Sequence, residues 1–138
     1  MYDKERLGKI FSDIERYMAD LRGMNVKSAK DLEDKRNFYS VSMLLFSMIN
    51  RAIDLGEEMV SANNLGTPST YKDVFHMLMK GGIISKRLKE DLSELAFYRN
   101  LFSHDYYNFT EKEVFDALSK IGAVNDFARR AKAKINGK

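Results

Sequence analysis

The stretch "FYSVSMLLFSMINRAIDLGEEMV", residues 38–60, carries the pattern on which the fold turns. Phe38, Val41, Leu45, Met48, Ala52, Leu55 and Met59 recur at three and four residues, the period of an α-helix, and Leu44, Phe46, Ile49, Ile53 and Val60 widen the stripe. A helix apolar over so much of its circumference belongs at the centre of a bundle. One polar strip is left on it, formed by Ser47, Asn50, Arg51, Asp54 and Glu58, and it is read as meeting solvent rather than lining a cleft. With its lead-in, the helix is expected over residues 30–61.

Outward from this centre the helices follow one another. Before it, Leu7, Ile10, Ile14, Tyr17, Met18 and Leu21 make an amphipathic helix that Gly23 and Asn25 end. After it, "ANNLGTPST" joins Asn, Gly and Pro in a loop. A short helix then carries Tyr71, Val74, Phe75, Leu78 and Met79, and Gly81 and Gly82 stop it. Ser85 can cap the next helix, whose stripe is Leu88, Leu92, Leu95 and Phe102. Thr110 and Glu113 have the spacing of a capping box for a last helix with Val114, Leu118, Ile121, Val124, Ala128 and Ile135. The expectation is an all-α chain: a single domain over residues 1–138, built as an antiparallel bundle of about five helices, four of them substantial.

Composition narrows the function classes. A chain of 138 residues is long enough to bury a core without staples. It has no cysteine, which excludes disulfides, thiolate metal sites and cysteine nucleophiles and leans toward a reducing, cytoplasmic setting. The charged start "MYDKERLGKIF" lacks the apolar run of a secretory signal, and no segment approaches the roughly 20 apolar residues of a membrane span. Lys and Arg outnumber Asp and Glu by 23 to 20, a net charge of +3 that permits an anionic partner without demanding one. There is no Walker loop, no GxGxxG, no HExxH and no nucleophile elbow, and two histidines are too few for an ordinary zinc site. No metal and no cofactor are called for. His76, one position off the apolar stripe of the short helix, reads as a surface or boundary histidine.

One segment resists a reading as packing: "FYRNLFSHDYYNF", residues 97–109. The stripe of Leu88, Leu92, Leu95 and Phe102 passes over Arg99, and a guanidinium there should meet a carboxylate, a phosphate or a second subunit. At about 100° per residue a continuous helix would set Tyr106 over Arg99 but turn His104 about 140° away. For Arg99 and His104 to act on one ligand, the helix must end near Ser103 or the two groups must come from different chains; both are expected. Two readings compete. In one, Arg99 pairs with an acidic neighbour and His104 interacts with the helix C-terminal dipole. In the other, Arg99 grips phosphate, His104 transfers protons and the aromatic rings stack on bases.

"RNLFSHDY" fits the R-x4-H-x-Y motif of the HEPN ribonucleases, including the asparagine after the arginine. With the Gly-x-Pro loop and the Gly-Gly turn upstream, residues 51–109 resemble the HepT toxins of prokaryotic pairs of a HEPN protein and a minimal nucleotidyltransferase. The resemblance implies a cytoplasmic homodimer of helical bundles, meeting near the motif, with one composite RNA-cleaving site. Cleavage would be metal-independent, by attack of a ribose 2′-hydroxyl on the adjacent phosphodiester. Arg99 would neutralise the phosphate, His104 would act as general base or acid, and Asn100 would position the site. Tyr106 matches the tyrosine that the nucleotidyltransferase antitoxin modifies with AMP, which would repel RNA and fill the cleft. Tyr107, out of register, is read as structural, and Asp105 as solvated. The alternative is a non-catalytic dimer that docks a nucleotidyltransferase or binds nucleic acid or nucleotide.

Overall fold

The computed structural model describes residues 1–104 and 109–137, the side chain of His104 excepted. Among these residues there is no strand. The helices are α1 (Lys4–Met24), α2 (Lys35–Ala62), α3 (Tyr71–Lys80), α4 (Lys86–His104), α5 (Glu111–Lys120) and α6 (Gly122–Ile135), with a 3₁₀ turn at Ala29–Glu33. The expected last helix is thus jointed. Its two halves, α5 and α6, meet at Ile121, which keeps right-handed helical angles (φ −65°, ψ −20°), and counted as one they leave the expected five.

Local chemistry sets the boundaries. Asn25 closes α1 in the left-handed conformation at φ 59°, which Asn tolerates better than most side chains. Asp34 accepts from the amides of Arg36 and Asn37, so α2 starts there and the residues before it form the separate 3₁₀ turn, shortening the helix expected from residue 30. Reciprocal capping boxes open α3 (Thr70 with Asp73) and α5 (Thr110 with Glu113), and Ser85 Oγ accepts from the Leu88 amide at the start of α4. Between α3 and α4 the chain reverses at Gly82, whose φ of 79° is open to glycine and strained for other residues.

α2 is the central element, packed against all five other helices and the 3₁₀ turn. Val41, Leu45, Met48, Ile49, Ala52, Leu55, Met59 and Val60 are all buried, so it carries the middle of one continuous core. Two contacts fix what surrounds the site. Arg51 donates from Nε and Nη2 to Asp13 Oδ2 at 2.9 and 2.7 Å and from Nη1 to Asp54 Oδ2 at 3.0 Å, clamping α1 to α2. On another face, a methyl built on Gly56 would lie 2.6 Å from Val74 Cγ1, so the missing side chain is what lets α3 approach α2. The start of α3, with Tyr71, is thereby held beside α2 and the last turns of α4.

Candidate functional site

Three helices converge on Arg99. Phe46 and Asn50 are four residues apart on α2 and so face the same way. Asn50 Oδ1 accepts from Arg99 Nε at 2.7 Å, and the guanidinium carbon sits 5.2 Å from the centre of the Phe46 ring and 5.3 Å from that of Tyr71 on α3. On α4 itself Arg99 Nη1 donates to Asn100 Oδ1 at 3.2 Å and to Ser103 Oγ at 3.4 Å. The arginine is half-buried. Its described partners are two amides, a hydroxyl and two aromatic faces, and among the described residues no carboxylate lies within 4.0 Å of its nitrogens. The acidic neighbour of the packing reading is therefore not found among them. Neutral acceptors and ring faces hold the guanidinium in place without cancelling its charge, which suits it to an anion from outside.

Two hollows are lined in part by residues that contact the arginine. One, of about 430 Å³, is apolar and lined by Tyr39, Ser42, Met43, Phe46, Phe102, Ser103 and Phe109. Its wall is a stack of rings: Phe109 lies 5.4 Å from Phe38 and 4.8 Å from Phe102, centre to centre. Tyr39 and Met43, at its rim, are each 64% exposed, unusual for side chains so apolar. The other hollow, of about 400 Å³, is polar and lined by Glu57, Pro68, Ser69, Thr70, Tyr71 and Asn100. Glu57 is exposed at the rim of this hollow; partial desolvation there, followed by the negative charge of Asp54, pushes its carboxyl above its ordinary value, despite Arg6.

Of the residues picked from the sequence, Arg99, Asn100 and the backbone of His104 lie together on the last described turns of α4, and the expected break near Ser103 falls at the edge of the described residues. The His104 side chain, Asp105, Tyr106 and Tyr107 lie outside the described residues. His76 is exposed on α3, as a surface histidine should be. The polar strip of α2 differs from the reading as a solvated face: Asn50 reaches Arg99, Arg51 is paired with Asp13 and Asp54, and Glu58 pairs with Arg6.

A family model described as Ribonuclease HepT-like matches residues 12–132. The chain belongs to the HepT-like family. Solved structures agree on the fold. A HEPN toxin of Shewanella oneidensis, tri-AMPylated and in complex with its MNT antitoxin, superposes with a TM-score of 0.84 at 21% identity, over 96% of this chain and 99% of that one. A cytosolic protein of unknown function from Bacillus subtilis, YutE, gives 0.84 at 18% identity over 98% and 93%. A toxin-antitoxin structure with AMP-PNP gives 0.82 at 19% over 95% and 99%. No curated protein matches the sequence.

Within this HepT-like chain, sequence reasoning missed Phe46, Asn50, Tyr71 and Ser103 as companions of Arg99. Asn50 carried a signal, as an amide in a polar strip on an otherwise apolar helix. Tyr71 carried none, because its place follows from the packing of α3 at Gly56.

Proposed function

We propose that this HepT-like chain is the toxin of a toxin-antitoxin pair and cuts RNA without a metal, at a composite site formed where two copies meet. The observation that carries the reading is the half-buried Arg99, fixed by neutral partners on three sides and aimed at no described carboxylate. Such a group binds a phosphodiester and stabilises the charge that grows on it during attack. His104 of the R-x4-H-x-Y motif takes the proton from the ribose 2′-hydroxyl, or returns one to the leaving oxygen. The bond formed is O2′–P and the bond broken is P–O5′, so the products are a 2′,3′-cyclic phosphate and a 5′-hydroxyl. Asn100, through its bond to Arg99, positions the guanidinium.

The apolar hollow supports the dimer. It shares Phe46 and Ser103 with the surroundings of Arg99, so a second copy covering Tyr39 and Met43 would bring its own motif beside this one. Under this reading the single domain of residues 1–138 works in the cytoplasm. Its partner is a minimal nucleotidyltransferase that transfers AMP from ATP to the Tyr106 hydroxyl, releasing pyrophosphate; the added charge and bulk beside the site repel RNA. The purified dimer should cut RNA in the presence of a chelator and leave 5′-hydroxyl ends, and Arg99→Ala or His104→Ala should abolish cutting with the helical circular-dichroism spectrum retained. RNA left intact by the wild type would turn the reading toward a non-catalytic dimer that docks the nucleotidyltransferase, and cutting that survives both substitutions would remove the proposed mechanism.

A further inference from the structure

The polar hollow beside Arg99 is not used by the cleavage chemistry, and its composition is unusual for a phosphate site because it contains a carboxylate. Two of its lining residues, Tyr71 and Asn100, are also contacts of Arg99, so the hollow and the arginine share a wall. Glu57 is on the same face of α2 as Asn50: seven residues are two turns, which puts it about 10 Å farther along the helix. That is the reach of one nucleotide from its phosphate to the far edge of its base. Among the described residues Glu57 has no ion-pair or hydrogen-bond partner, whereas its neighbour Glu58 pairs with Arg6 and Asp54 pairs with Arg51. Around it are Ser69 and Thr70, the ring of Tyr71 and the amide of Asn100.

Resting on the ribonuclease reading, we infer that this hollow is a base-selecting subsite, in which Glu57 accepts hydrogen bonds from the Watson–Crick edge of a guanine while Arg99 holds that nucleotide's phosphate. Single-stranded RNA is read in this way, with bases splayed out, packed against aromatic rings and hydrogen-bonded on their edges. A carboxylate only accepts, so it selects the edge richest in donors. Guanine offers two adjacent donors, N1–H and N2–H, which match both carboxylate oxygens. Cytosine and adenine offer one amino group each, and uracil sets carbonyl oxygens on both sides of its single N–H. Glu57 is exposed at the mouth of the hollow, where a base can reach it, and partial desolvation together with Asp54 raises its carboxyl above the ordinary value.

The test has a cleavage arm and a binding arm. In the first, wild type and Glu57→Gln cut an RNA library of random sequence and the ends are sequenced. Wild type is expected to enrich guanine about tenfold over uracil at one fixed position relative to the cut, the discrimination of a good two-bond contact, and Glu57→Gln to lose that enrichment. In the second, the two proteins are titrated with guanosine and uridine 5′-monophosphates. Wild type should bind the guanosine nucleotide more tightly, and Glu57→Gln should bind the two alike. Cutting without base preference, or with a preference that Glu57→Gln retains, overturns the subsite and leaves the ribonuclease reading intact. A guanosine preference that depends on Glu57 in a protein that cuts no RNA upholds the subsite and overturns the ribonuclease reading. Absence of both cutting and preference overturns both.

Discussion

At the scale of single residues, the neutrality of the company around Arg99 is what suits it to the proposed binding of phosphate. A carboxylate in place of Asn50 would supply the missing counter-ion and compete with phosphate. Asn50→Asp is therefore expected to lower RNA cleavage by about tenfold, the worth of one charge-assisted hydrogen bond, without lowering the thermal midpoint. Asn50→Ala, which only removes an acceptor, should cost about 1 kcal/mol of stability and less activity. Cleavage rates and melting curves of the two variants side by side distinguish these outcomes, and equal activity in both would mean that the charge of Arg99 is not what matters. Arg99, Asn100 and His104 are proposed from the sequence because a short linear motif carries them. Asn50 and Tyr71 were not legible in it, because their meeting with Arg99 is decided by how three helices pack.

At the scale of elements, most helix boundaries could be read from capping chemistry, and the boundaries that moved did so for local reasons. Asp34 captured the start of α2, so the chain before it folded as a separate 3₁₀ turn. The joint at Ile121 had no proline and only Gly122 to announce it, and the hydrophobic period runs straight across it. The packing of α3 on α2 is the element-scale contact that brings Tyr71 to Arg99. Gly56→Ala would place a methyl 2.6 Å from Val74 Cγ1, against buried side chains with little room to yield. Overpacking of this kind costs about 1–3 kcal/mol. A lowered melting temperature should be accompanied by weaker RNA cutting, since Tyr71 and the polar hollow move with α3. A stable Gly56→Ala variant with full activity would show that this approach does not set the site.

At the scale of the whole molecule, one ion network and one exposed patch have different tasks. Arg51 and Asp13 tie α1 to the central helix. The hydrogen bond from Arg51 holds the Asp13 carboxyl below its ordinary value against the opposing effect of burial, with help from Lys9 and Arg16. A carboxyl whose folded-state pKa is depressed stabilises the fold above its unfolded value, near 3.9, and that contribution is lost as pH falls through the lower folded value. Arg51→Ala should cost on the order of 3 kcal/mol at neutral pH, because it strips the main partner from a buried carboxylate. The difference in melting temperature from wild type should shrink below about pH 4, as Asp13 becomes protonated. A difference that stays constant from pH 7 to pH 3 would remove this role.

The patch of Tyr39, Met43 and the adjoining rings bears on the central claim that the site belongs to two chains. Arg99→Ala and His104→Ala proteins, each inactive alone, can be unfolded together, refolded as a mixture and assayed on RNA with chelator present. Mixed dimers retain in the composite site the arginine of one chain and the histidine of the other, so cutting should return to a substantial fraction of the wild-type rate. A mixture that forms mixed dimers and remains as inactive as its components, beside a wild type that cuts, would contradict a site shared across the interface.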